Sequence, residues 1–172
     1  MVTKKPNRTR VQNKRATRKK KQTLPQLKKK LWRIFSEYIR IKDSNSKGSI
    51  KCITCESVYH WKDPKGRMQC GHFFPKKGFP SLYYNETNTA PQCSYCNGVL
   101  EGAQYAYSLY IKERYGQEVL DSLYKKTIDY RKWKLQDPKK NVYRWNRDWL
   151  ETKIAYYQEE LCKEKKKRNI KC

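Results

Sequence analysis

"QCSYCNG", residues 92–98, sets two cysteines three positions apart and follows the second with an asparagine. "KCITCES", residues 51–57, supplies a matching pair. A C-x2-C turn aims two thiolates at one point, and two such turns make a closed tetrahedral set, with Zn–S distances of about 2.3 Å. Cys52, Cys55, Cys93 and Cys96 are therefore the expected ligands of one structural Zn²⁺. The 37 residues between the pairs exceed the roughly 15–20 of a simple zinc ribbon. The insert is expected to carry a function, while zinc ties its ends together and turns binding energy into folding energy.

The remaining cysteines and histidines are weighed against that set. Structural zinc closes at four ligands, so Cys70 reads as a small buried filler and His60 as a surface or hairpin side chain, although either could replace a thiolate. Cys162 and Cys172 lie near a charged tail and carry no readable chemistry. The chain has 172 residues, room for one domain and tails. Lys and Arg number 41 against 16 Asp and Glu, a net charge of +25 that implies a polyanionic partner. With 14 Tyr and 5 Trp, the chain is too aromatic to be wholly disordered. No apolar stretch is long enough to span a bilayer and no signal-peptide core is visible, so a cytoplasmic or nuclear protein with reduced thiols or metal sites is expected.

Along the chain, Met1 to Lys30 holds 13 basic residues and no acidic one. It reads as a disordered arm over 1–24 that neutralises phosphates without reading sequence. Pro25 suits a first helical turn, and Leu27, Leu31, Ile34, Phe35 and Tyr38 recur at helical spacing, predicting a helix over about 25–42. From Ile50 to Gln92, turn residues and short runs such as "VYHW" and "SLYY" predict hairpins and loops. After Cys96 a helix is predicted to run through about Tyr115 with Gly116 as C-cap, then another over about 117–133. "LQDPKKN" breaks the run. A last helix capped by Asn146 carries Leu150, Ile154, Tyr157 and Leu161, a stripe for the body of the chain or for a second copy in a homodimer.

His72, Asn88 and Asn97 have the order and spacing of an HNH nuclease motif ending in Asn, with fifteen and eight residues between them. "GHFFPKKGFPSLYYNETNTAPQCSYCNGVLEG" resembles the NinG/Rap recombination proteins of lambdoid phages in its G-H-F, its tyrosine before E-x-N, and its Q-C-x2-C-N. "YIKERYGQEVLDSLYKK" continues in the same style, and the likeness covers roughly residues 31–130. "CNGVLEG" also resembles the zinc-bound start of the catalytic helix in phage recombination endonuclease VII. The resemblance implies an α+β fold: a zinc-stabilised ββα-metal (HNH-like) core with flanking helices, assigned to 25–135, while the terminal helix and basic tail over 136–172 lie outside it. It implies a Mg²⁺-dependent endonuclease acting on branched DNA such as Holliday junctions and D-loops.

Phosphodiester hydrolysis needs a base for water and a Lewis acid on the phosphate. His72, with an ordinary pKa near 6.5, can be the base. Asn97 offers an oxygen to Mg²⁺, and Asn88 is expected to bond backbone across the loop and orient His72. In endonuclease VII the residue before the histidine is an acidic metal ligand; here it is Gly71. Glu86, in the shared E-x-N, is expected to supply the missing carboxylate, with Glu101 the alternative. The competing reading is a non-catalytic zinc module that binds nucleic acid, which would not require the His72, Asn88 and Asn97 constellation.

Overall fold

The computed structural model describes residues 21–136 and 145–172. Most of the predicted basic arm, and residues 137–141 of "LQDPKKN", lie outside that range. The architecture is mixed α+β: four helices around two small antiparallel hairpins.

Helix α1, Leu24–Lys42, starts where Thr23 and Gln26 cap each other: the Gln26 N–H donates to Thr23 Oγ1 (3.4 Å) and the Thr23 N–H to Gln26 Oε1 (2.8 Å). This capping box satisfies donors that the first turn leaves free. The buried stripe of α1 faces α4, Arg147–Lys166, whose Asn146 cap accepts from the Trp149 N–H at 2.8 Å. Leu150, Ile154, Tyr157 and Leu161 are all buried against the body, and the Phe35 and Tyr157 rings meet edge to face at 4.9 Å. The stripe is spent inside one chain, which removes it as the surface for a homodimer. Burying each such leucine contributes about 1.5–3 kcal/mol.

Past α4 the chain folds back at Asn169, whose φ is 57°, bringing Cys172 within 5.3 Å of Cys162 Cα to Cα. The two are joined as a disulfide, correcting the expectation that they carry no readable chemistry. Arg168 donates from Nη2 to the carbonyls of Lys42 (3.0 Å) and Ser44 (2.9 Å), partnering acceptors that the end of α1 leaves open.

Strands β1 (Ser49–Lys51) and β2 (Val58–His60) pair antiparallel, as do β3 (Met68–His72) and β4 (Thr89–Cys93), with Gly71 opposite Ala90 and His72 opposite Thr89. Met68, Cys70 and Cys93 of the second hairpin pack into the α1–α4 core. Ala90 instead joins a second core with Phe73, Leu82, Tyr107, Ile111 and Leu123. Helices α2 (Gln104–Tyr115) and α3 (Gln117–Gln136) supply the far wall of that core, joined at Gly116, where a φ of +91° requires glycine.

Two predicted elements differ. "SLYY" is not a strand: Pro80 opens a 3₁₀ turn over Pro80–Leu82, since proline cannot donate to a ladder. The helix expected from Cys96 onward is a single wide turn, Tyr95–Val99, that then breaks. Glu101, Gly102 and Ala103 have φ of 49°, 91° and 46°, so the chain reverses before α2 begins. Among the described residues no helix is long and apolar enough to cross a membrane.

Candidate functional site

Cys52 and Cys55 lie in the turn between β1 and β2, Cys93 ends β4, and Cys96 lies in the wide turn that follows. Their four sulfurs all lie within 4.8 Å of one another. Backbone donors already point at them: the Cys93 N–H to Cys52 Sγ (3.2 Å) and the Cys96 N–H to Cys93 Sγ (3.4 Å). Burial pushes the Cys96 thiol up to about 12 and raises Cys93, whereas the Ser57 hydroxyl beside the exposed Cys55 pulls that thiol down to about 6. Thiols this crowded ionise together only around a cation, and four sulfurs are the set that zinc takes. The cluster could hold one Zn²⁺.

Neither alternative ligand joins it. Cys70 is buried on β3 in the α1–α4 core, where burial pushes its thiol up to about 12. His60 accepts the Lys62 N–H at Nδ1 (3.1 Å), and its ring lies where Gly48 leaves room, since a Cβ there would come within 2.4 Å of Nε2.

His72 ends β3 and opens onto a cleft of about 660 Å³ that is also lined by Trp32, Arg40, Lys76, Asn97 and Glu101. Its Nε2 lies 2.9 Å from the Tyr83 carbonyl. A carbonyl only accepts, so Nε2 carries the proton and Nδ1 keeps the lone pair. Trp32 stacks on the ring at 5.2 Å and 20°, and Tyr83 meets it edge-on at 5.7 Å. Burial, helped by the Lys76 charge, lowers the His72 pKa against the opposing pull of the Tyr83 carbonyl. Burial thus works against the charged form of the ring.

Asn88 is fully buried and sits behind His72 rather than in the cleft. Its Oδ1 accepts the Phe74 N–H (2.8 Å), and its Nδ2 donates to the carbonyls of Phe74 (3.1 Å) and Leu82 (3.0 Å). These bonds span both ends of the loop that delivers the Tyr83 carbonyl. Asn97 donates from Nδ2 to Gln69 Oε1 at 2.7 Å, which turns its Oδ1 toward Gly71.

The residues around this cleft lie within one family's pattern. A family model described as Bacteriophage Lambda NinG protein matches residues 2–167. This chain belongs to the NinG family. Protein ninG of Escherichia phage lambda is 25% identical to it over 124 residues, which is 72% of this chain and 50% of that protein. The chain thus spans about half the length of this curated relative. No solved structure matches. The family match takes in the basic arm from residue 2 and all of α4, which the sequence resemblance over 31–130 left out.

One predicted site residue is elsewhere in this NinG chain. Glu86 takes the Lys42 ammonium on Oε2 (2.9 Å), with the Tyr38 hydroxyl on the same oxygen and the Tyr157 hydroxyl on Oε1, both at 3.3 Å. Both oxygens are committed to fastening the Glu86–Asn88 turn to α1 and α4, so it does not share an ion with Asn97. Glu101 lines the cleft instead, though through the left-handed turn rather than on a helical face with Asn97. The hard oxygen donors there, Asn97 Oδ1 and the Glu101 carboxylate, fit Mg²⁺.

Sequence reasoning missed Arg40, Lys76 and Trp32. Arg40 lies on α1 as one basic residue among many, but it is largely desolvated: its Nε is buried without a hydrogen-bond partner, and burial lowers its pKa. Lys76 rides over the Trp32 ring at 5.1 Å. Only their shared cleft distinguishes these cations from the other basic residues.

Proposed function

We propose that this NinG-family chain is a divalent-cation-dependent DNA endonuclease acting on branched recombination intermediates, four-way junctions and D-loops, in the host cytoplasm. In this reading the β3–β4 hairpin and the turn after it work as a ββα-metal (HNH-like) unit. One Zn²⁺ on Cys52, Cys55, Cys93 and Cys96 fixes Asn97 in place. The observation that carries the reading is the hydrogen bond from His72 Nε2 to the Tyr83 carbonyl, 2.9 Å, which leaves Nδ1 as a base on a cationic cleft.

Arg40 and Lys76 take the scissile phosphate, whose negative charge offsets the desolvation of Arg40. Water attacks phosphorus and gives its proton to His72 Nδ1. The bond from phosphorus to the 3′-oxygen breaks, that oxygen takes a proton from solvent, and the products are a 5′-phosphate and a 3′-hydroxyl. Asn97 Oδ1 would hold a Mg²⁺, which when bound would supply Lewis-acid neutralisation of the charge that builds on the phosphate and the departing oxygen. Asn88 positions His72 by holding the loop that carries the Tyr83 carbonyl. The net charge of +25 supports a DNA partner, and the resemblance to recombination proteins supports branched DNA.

His72→Ala tests the reading. Cleavage of a four-way junction in Mg²⁺ should fall roughly 10²- to 10⁴-fold, the usual cost of losing a general base. Zinc content and junction binding in Ca²⁺ should stay as in the parent. Full cleavage by the variant would leave a zinc-dependent nucleic-acid-binding module as the function.

A further inference from the structure

Gln92 is fully buried on β4, and its side-chain oxygen has no hydrogen-bond partner. Its other end is fixed: Nε2 donates to the Gly102 carbonyl at 2.8 Å, and lies 3.5 Å from Thr54 Oγ1. That bond sets the amide's orientation and aims Oε1 at the bare Cα of Gly71. A Cβ at Gly71 would stand 2.0 Å from Gln92 Oε1 and 3.1 Å from Asn97 Oδ1. Glycine at 71 is thus what lets the amide of Gln92 lie there. Two amide oxygens flank the bare Cα of Gly71, each fixed by a hydrogen bond from its own nitrogen, Gln92 to Gly102 and Asn97 to Gln69.

The Gln92 oxygen is buried, and buried acceptors in folded proteins almost always have a partner, which the Asn97 oxygen, itself an acceptor, cannot be. What satisfies both is a species that is positive toward each, and hard cations prefer amide and carboxylate oxygens. We propose that Gln92 is a second protein ligand of the divalent cation, its Oε1 binding alongside Asn97 Oδ1. The proposal rests on the nuclease reading for the ion's purpose, but not for its place.

The pair has a chemical consequence. Both oxygens are neutral, and Glu101, the carboxylate lining the cleft, shares it with the Arg40 and Lys76 cations, so the free protein binds the ion weakly. A DNA phosphate brings further negative charge, and ion and substrate bind together. Gly102, which accepts the Gln92 amide, lies in the left-handed turn beside Glu101. That turn therefore serves to orient a ligand as well as to start α2.

The test uses the zinc-loaded full chain and Mn²⁺ as a paramagnetic probe, read by NMR of side-chain amides. In the parent, the NH₂ signals of Gln92 and Asn97 should broaden first as Mn²⁺ is added, ahead of Asn45, Asn85 and Gln117. Broadening that spares Gln92 would overturn the proposal and leave a water molecule as the partner of its oxygen. As a second arm, Gln92→Glu should tighten Mn²⁺ binding at least tenfold by adding a charge to the pair, with zinc content unchanged. Unaltered Mn²⁺ affinity in a folded Gln92→Glu would also overturn it. If Mn²⁺ reaches Gln92 while the parent cuts no DNA, the site stands and the nuclease reading falls. The NMR arm needs no variant, so a Gln92→Glu chain that fails to fold does not remove the test.

Discussion

Helices α1 and α4 are joined by apolar side chains at regular helical spacing, whereas the segment between β1 and α2 is held by thiols and by side chains bonded to backbone. The first region buries Leu31, Phe35, Ile39 and Leu150 completely. The second also buries apolar side chains such as Phe73 and Leu82, but sets Cys52, Asn88, Thr89, Gln92, Cys93 and Cys96 among them. Apolar packing tolerates volume-conserving exchange. A polar network does not, because each lost partner strands another buried group. The segment carrying His72, Asn97 and Gln92 is therefore the one whose geometry is most specified and least replaceable.

The largest effect that would separate the two regions is removal of a zinc ligand. Cys93→Ala should lose the bound zinc and with it hydrogen-exchange protection in β3 and β4, while amides of α1 and α4 stay protected. Structural zinc supplies on the order of 10 kcal/mol in small zinc folds. Simultaneous loss of protection in all four elements would show one cooperative unit and erase the distinction.

Next in size is Leu150→Ala in the helical region. The side chain is fully buried, so a loss of about 2–5 kcal/mol is expected by denaturant unfolding. Elemental analysis should still find zinc in the folded fraction. Asn88→Ala should cost less, about 1–3 kcal/mol, because it strands the Phe74 N–H and two carbonyls in a buried loop. It should also slow junction cleavage beyond its effect on folding, and a variant equally destabilised but fully active would reduce Asn88 to a structural clasp.

What could be read from sequence follows the same division. The starts of α1 and α4 were legible at Pro25 and Asn146, because helices announce themselves by period and cap, while the Thr23 capping box was not read. The cysteine spacing announced the thiol cluster for an equally local reason. "SLYY" and the stretch after Cys96 were misread because nonlocal bonds override propensity there: Asn88 fixes the loop of the first, and Gln92 holds Gly102 in the turn of the second. The bonds of Glu86 were not legible because its partners Lys42 and Tyr157 lie 44 and 71 positions away, on helices whose placement the E-x-N motif does not encode. Gln92 stood in plain view beside Cys93, but only its orphaned oxygen and the bare Gly71 give it a role.

The smallest expected effect is the most specific to the cleft. Burial holds the His72 pKa below its ordinary value near 6.5, with the Lys76 charge acting in the same direction. Between the ordinary value and the lower folded one, the unfolded chain takes up a proton that the folded chain refuses. The contribution of His72 to stability is thus complete above about pH 6.5 and is lost as pH falls through the folded pKa. His72→Asn, which has no imidazole, should show a shallower fall in unfolding free energy between pH 7.5 and 5.5 than the parent, with zinc content checked at each pH. If His72 is also the base, the acid limb of junction cleavage has its midpoint below 6.5, set by the same buried ring. A midpoint at or above 6.5 would place the titrating group elsewhere, and an unchanged stability slope in His72→Asn would mean that the ring carries no pKa shift. Agreement of the two midpoints would tie the kinetic base to the ring that donates to Tyr83, because no other histidine lines the cleft.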